Sequence, residues 1–151
     1  EIGSGLVGSE MCIRDRNTRI TPNHITELKP NEIFVFGSNL QGYHGGGAAR
    51  LAMNQWGAVW GQGTGLQGQT YAIPTMQGGI GTIRPYIDQF IKFAQNDPER
   101  TFLVTEIGCG IAGFRPADIA PLFKNAINIP NIWLPQRFWE ILQKEEVQDL
   151  I

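Results

Sequence analysis

Ile33-Phe34-Val35-Phe36-Gly37-Ser38-Asn39-Leu40-Gln41-Gly42-Tyr43-His44-Gly45-Gly46-Gly47, running on into Ala48-Ala49-Arg50-Leu51-Ala52, is the stretch that decides the fold. Four consecutive apolar β-formers ended by a glycine describe a strand buried on both faces, as in a parallel sheet covered by helices. The glycine-rich turn then enters a predicted helix over Gly46–Trp56, with Ala48, Ala49, Leu51, Ala52 and Trp56 available for its inner face.

The same alternation continues on both sides. Ile20–Pro30 reads as a lead-in with turn signals at Pro22-Asn23 and Lys29-Pro30. Thr70-Tyr71-Ala72-Ile73-Pro74 reads as a second short strand that Pro74 should end. Thr82 is the expected N-cap of a helix reaching about Gln95, with Ile83, Tyr86, Ile87, Phe90, Ile91 and Ala94 at helical spacing. Thr101–Thr105 is the clearest strand and leads straight into Ile107-Gly108-Cys109-Gly110. A helix from Arg115-Pro116 through Phe123, a strand at Ile132–Leu134 and a helix over Gln136–Asp149 complete the pattern. Strands alternating with helices predict a three-layer α/β domain, a central mixed sheet flanked by helices.

The chain has 151 residues, 42% hydrophobic and 17% charged, with a formal net charge of −2. These values fit one folded domain and exclude a disordered chain. There is no apolar stretch of the roughly 18 residues a spanning helix needs. No basic stripe offers itself to nucleic acid or a membrane surface. Two cysteines, Cys12 and Cys109, make neither a disulfide framework nor a cysteine-based metal site, so a reducing, cytoplasmic setting is expected, with no metal and no cofactor. Leu6–Arg16 is similar to the in-frame translation of a sequencing-library transposon adapter. Residues 1–16 are therefore expected to be foreign to the domain, and residues 17–151 to form it. Without them Cys109 is the only cysteine, and 13 of the 16 remaining glycines lie between Gly37 and Gly81.

Two glycine clusters follow directly after predicted strands, Gly37–Gly47 and Gly108–Gly113, and each precedes a predicted helix. In open α/β sheets, ligands bind beyond the carboxyl ends of the strands. Glycine there lets backbone N–H groups approach an anion, and a helix N-terminus favours negative charge. The expected ligand is a phosphate or diphosphate held by backbone donors. Gly108-Cys109-Gly110-Ile111-Ala112-Gly113 has the spacing G-x-G-x-x-G, but no acidic residue follows at the position that would hold a ribose. Gly63–Gly68 has that spacing too, yet a strand follows it. Neither is a dinucleotide fingerprint, and no glycine run ends in Lys-Ser or Lys-Thr as a P-loop would.

From about Asn23 to Phe123 the chain resembles the macro domain, the ADP-ribose-binding α/β module. Asn23-His24-Ile25-Thr26 is similar to that family's Gly-Asp-Ile-Thr stretch, and Phe36-Gly37-Ser38-Asn39 with Gly45-Gly46-Gly47 to its strand end and glycine run. Gly108-Cys109-Gly110-Ile111-Ala112-Gly113-Phe114 is similar to its later Ser-Thr-Gly-Ile-Phe-Gly-Tyr loop. The likeness is to a divergent bacterial or phage-borne branch, and it implies a macro-domain-like fold and a small nucleotide ligand of the ADP-ribose type. It also implies that Gly108, Cys109, Gly110, Ile111 and Gly113 wrap the diphosphate, Phe114 lies beside the distal ribose, Asn39 bonds its hydroxyls and Gly45, Gly46 and Gly47 form the facing wall. The departures matter too. His24 stands where the family has its adenine-contacting Asp, and Ala48-Ala49-Arg50 where the hydrolytic branch often has an Asp. Binding is carried over. An ADP-ribosyl hydrolase activity, with substrate-assisted water attack positioned by Asn39 and the loops, is left open. The alternative is a non-catalytic accessory or interaction protein on the same scaffold that has lost the ligand.

Single residues also carry bland readings. Asn39 could equally satisfy its own loop backbone as an Asx-turn. His44 is expected to face solvent, and His24 to be structural or exposed. Cys109 is expected to be a small packed side chain, the other reading being a nucleophile at a helix N-terminus. Trp56, Trp60, Trp133 and Trp139 read as core or rim packing. The Gly61–Gly68 stretch is either a tight structural turn or a third loop whose Gln62 or Gln67 reads the ligand.

Overall fold

Alternation along the strand at Glu32–Ser38 (β2) divides its side chains between two cores. Ile33 and Val35 pack into the larger one, and Phe34 and Phe36 into the smaller, where they meet Ala49 and Ala52. Strand β2 is thus covered on both sides, as its unbroken apolar run requires. The computed structural model describes residues 18–149. The adapter-like segment lies outside them.

In chain order the elements are β1 (Ile20–Thr21), β2, α1 (Gly47–Trp56), β3 (Gly65–Gln67), β4 (Thr70–Pro74), α2 (Ile80–Gln95), β5 (Thr101–Val104), α3 (Pro116–Ile119), a 3-10 segment (Ala120–Ala126), β6 (Ile132–Pro135) and α4 (Gln136–Asp149). The six strands form one sheet in the order β1-β6-β5-β2-β4-β3. All neighbours are parallel except β3 and β4. The architecture is α/β, with helices on both faces of a mixed sheet. Buried residues of α2, the 3-10 segment and α4 (Ile87, Phe90, Phe123 and Phe138 among them) fill the larger core. Helix α1 covers the other face through Ala49 and Ala52, with Trp56 tilted against Phe34 at 4.8 Å. Ala48 and Leu51, expected on the inner face of α1, are instead exposed. Among the described residues no helix is long and apolar enough to cross a membrane.

Four local expectations change. Strand β1 opens the lead-in just ahead of the Pro22-Asn23 turn signal and was not expected, because two residues paired with Leu134 and Pro135 cannot display a period. Strand β3 lies inside the glycine-rich stretch, antiparallel to β4. Helix α2 begins at Ile80 on an extended Gly79, not on Thr82, and the Gly79 carbonyl accepts from the N–H groups of Thr82 and Ile83. The helix expected through Phe123 stops at Ile119. Pro121 cannot supply the next helical donor and would clash one turn back, so the chain tightens into the 3-10 segment.

Candidate functional site

The carboxyl ends of β2, β4 and β5 open into a cleft of about 520 Å³. Its floor is Gly37, Ser38, Thr75 and Thr105, the residues at or just beyond those three strand ends. Cross-strand bonds hold the floor: the N–H of Thr75 donates to Ser38 O at 2.8 Å, and the Thr105 hydroxyl donates to Val35 O at 2.8 Å. One wall is Gly45, Gly46, Gly47 and the first turn of α1, and the other is Gly108, Gly110, Ile111 and Ala112. The two glycine loops singled out in the sequence therefore face each other across one cavity. No side chain caps α1, so its first N–H groups, at Gly47, Ala48 and Ala49, have no intrahelical acceptor.

The glycines of these walls differ in what a Cβ would meet. Gly108 takes φ +74° and lies against Ile119 and Phe114, so its identity follows from local packing. Gly45, Gly46 and Gly110 have no left-handed φ, and a Cβ on any of them would meet nothing closer than Ile111 Cδ1 at 3.9 Å. The chain's own fold does not require glycine at these three positions, yet all three border the cleft.

Asn39 also borders it, and its amide is turned on its own loop. Asn39 Oδ1 accepts from Tyr43 N at 2.8 Å, and Nδ2 donates to Tyr43 O at 3.1 Å. His44 is fully buried, contrary to the expectation of a solvent-facing side chain. Its ring meets Phe36 edge-on at 5.3 Å, and Nε2–H donates to Gln62 O at 3.1 Å. A carbonyl only accepts, so Nε2 carries a proton in this bond, and Nδ1 is buried without a partner among the described residues. Gln62 and Gln67 point into their own segment: Gln67 donates to Gln62 O at 3.0 Å and accepts from Val59 N at 2.7 Å, while Gln62 donates to Thr64 O and Leu66 O. The segment is a structural turn that buttresses the first loop from behind.

Cys109, Gly113 and Phe114 belong to the second loop but do not border the cleft. Phe114 N–H donates to Gly108 O and Gly113 N–H to Gly110 O, which closes the loop, and Phe114 and Cys109 pack against the larger core. Burial, with the Glu106 carboxylate adding to it, pushes the Cys109 thiol up to about 11. Its Sγ–H points at Ile107 O, 3.5 Å away. Such a thiol stays protonated near neutrality and is not set up as a nucleophile.

Thr75, Thr105 and Glu106 were not singled out from the sequence. The available signal was position, since Thr105-Glu106 directly follows the clearest strand. Glu106 is gripped by Nε and Nη2 of Arg137 in a two-pronged ion pair. It also borders a second cavity of about 250 Å³ that shares Ala48 and Thr105 with the cleft. Asn23, His24 and Ile25 of the lead-in, with Phe34 and Leu51, line this smaller chamber. Thr21 lines it as well, only 3% exposed and with a hydroxyl that has no hydrogen-bond partner among the described residues. His24 is exposed, as expected, and borders this chamber, which shares lining residues with the cleft. Comparison with models of known families, with curated proteins and with solved structures finds no match to this chain.

Proposed function

We propose that the chain binds a nucleotide diphosphate of the ADP-ribose class, with the diphosphate between the two glycine loops. The observation that carries this reading is the set of cleft-facing glycines at 45, 46 and 110, which neither backbone conformation nor packing explains. Glycine there keeps the walls bare, so that backbone N–H groups and the uncapped start of α1 can reach an anion. A volume near 520 Å³ is within the usual range of about 300–1,000 Å³ for small-molecule sites. The adjoining chamber, whose lining mixes Ile25, Phe34 and Leu51 with Asn23 and His24, suits a ring with a polar edge. The ADP-ribose assignment itself rests on the resemblance of the two loops to the macro domain.

Binding is better supported than hydrolysis. Glu106 supplies the one carboxylate on the described cleft wall, and Arg137 occupies both its oxygens. The Asn39 amide is committed to Tyr43 through both its oxygen and its nitrogen. The accessory-protein alternative predicts no ligand at all, and the unexplained glycines weigh against it.

Thermal unfolding of the chain with and without ADP-ribose tests the reading. At a hundredfold excess over Kd, a ligand bound only by the folded state adds about 2.7 kcal/mol. That corresponds to a Tm rise of roughly 5–10 °C for a domain of this size. Gly110→Glu places a carboxylate in open space on the wall, so it should abolish the rise and leave the Tm without ligand unchanged. An equal rise in Gly110→Glu would place the ligand elsewhere.

A further inference from the structure

Tyr43 and Trp60 stack at the mouth of the cleft, ring centroids 5.4 Å apart and planes within 19° of parallel. They are 58% and 56% exposed, and Tyr43 itself borders the cavity. The backbone that carries Tyr43 is fixed from below. The Asn39 amide bonds both the N–H and the carbonyl of Tyr43. Gly42, at φ +72°, lies so close to Gly61 and Gln62 that a Cβ would collide with their backbone, and Gly61 N–H donates to Gly42 O at 2.8 Å. On the other side of Tyr43, the buried His44 ties the same loop to Gln62 O. Two neighbouring residues are thus turned in opposite directions, His44 sealed inside and Tyr43 held out. With one face against Trp60, Tyr43 keeps more than half of its surface exposed where it borders the cleft.

The chemistry of the rim limits what can lie on that surface. Residues 51–83 contain no Asp, Glu, Lys or Arg. Met76 and Ile111, which complete the rim, are apolar and 44% and 82% exposed. A polyanionic strand needs cations along its path, and this rim has none to give. A flat ring needs only an aromatic face, because stacking tolerates any base or heterocycle.

We infer that the ligand carries a second planar ring on its far sugar, which extends the Tyr43–Trp60 stack when the diphosphate occupies the cleft. The substrate class is therefore a dinucleotide-type molecule, ring–sugar–diphosphate–sugar–ring. This rests on the diphosphate reading given above and narrows it. A cationic ring would gain further from the aromatic faces.

Calorimetric titration of the full chain with ADP-ribose and with NAD+, which differ by that ring, tests the inference. NAD+ should bind about tenfold more tightly than ADP-ribose, the size expected of one stacked ring. Trp60→Ala should reduce NAD+ affinity by about that factor and leave ADP-ribose affinity within about twofold, while Trp60→Phe should keep the preference. NAD+ binding no tighter than ADP-ribose would overturn the inference and leave the diphosphate reading standing. So would a Trp60→Ala effect equal for both ligands, which would make the pair a scaffold. Binding of neither ligand would overturn both.

Discussion

Gly42 and Gly110 are glycines for opposite reasons. At Gly42 the backbone of Gly61 and Gln62 occupies the space a side chain would need, and the left-handed φ adds strain for any other residue. Gly42→Ala should therefore cost about 2 kcal/mol or more, read from denaturant unfolding, and should also disturb the loop that carries Tyr43. Asn39→Ala is expected to act similarly, by freeing Tyr43 and not by removing a direct ligand contact. Cys109 allows a prediction in pH. A thiol raised to about 11 is neutral below that value, so its alkylation in the folded chain should be slow at neutral pH and accelerate as pH approaches 11. Mass spectrometry resolved by peptide separates it from Cys12. Fast modification of Cys109 at neutral pH would contradict the burial argument. The clustering of these glycines was legible in the sequence, but their division into structural and cleft-facing sets was not. That division depends on the distance to residues about twenty positions away.

At the level of elements, the long periodic ones were readable and the short ones were not. Helix α2 shows its Ile83, Ile87, Phe90, Ile91 and Ala94 stripe directly, and β2 shows its double burial. Strands β1 and β3, of two and three residues, exist only through their pairing with β6 and β4. The 3-10 segment depends on a residue that sequence patterns do not expose. Arg19, only 2% exposed, donates to the carbonyls of Ala126, Ile127, Ile129 and Ile132 where that segment ends and β6 begins. Its guanidinium lies 5.2 Å from the Trp139 ring, whose Nε1–H donates to Arg19 O. These contacts join the entry to β1, the 3-10 exit and α4. Arg19→Ala should destabilise the fold by about 3 kcal/mol in urea unfolding, because buried carbonyls lose their charged donor. Arg19→Lys should recover only part of that, since one ammonium cannot reproduce the planar fork. A loss below about 0.5 kcal/mol, the range of surface substitutions, would show that the carbonyls find other partners.

Over the whole molecule, parallel strand order places the site. Strands β2, β4 and β5 run in the same direction, so the loops leaving them open on one edge, and Gly37–Gly47 and Gly108–Gly113 meet there although some sixty residues separate them. Both strand–glycine–helix units were visible in the sequence, and only the resemblance set them face to face. That two such units share one cavity follows from their adjacency in the sheet. The smaller chamber was less legible, because its lead-in wall gains its position from β1 pairing with the last strand. Calorimetric titration of the chain with ADP-ribose tests the central claim most directly. A saturable, one-to-one heat that Gly110→Glu abolishes is the expected result. Absence of heat at millimolar ligand, from a chain whose cooperative thermal unfolding shows it to be folded, would contradict it.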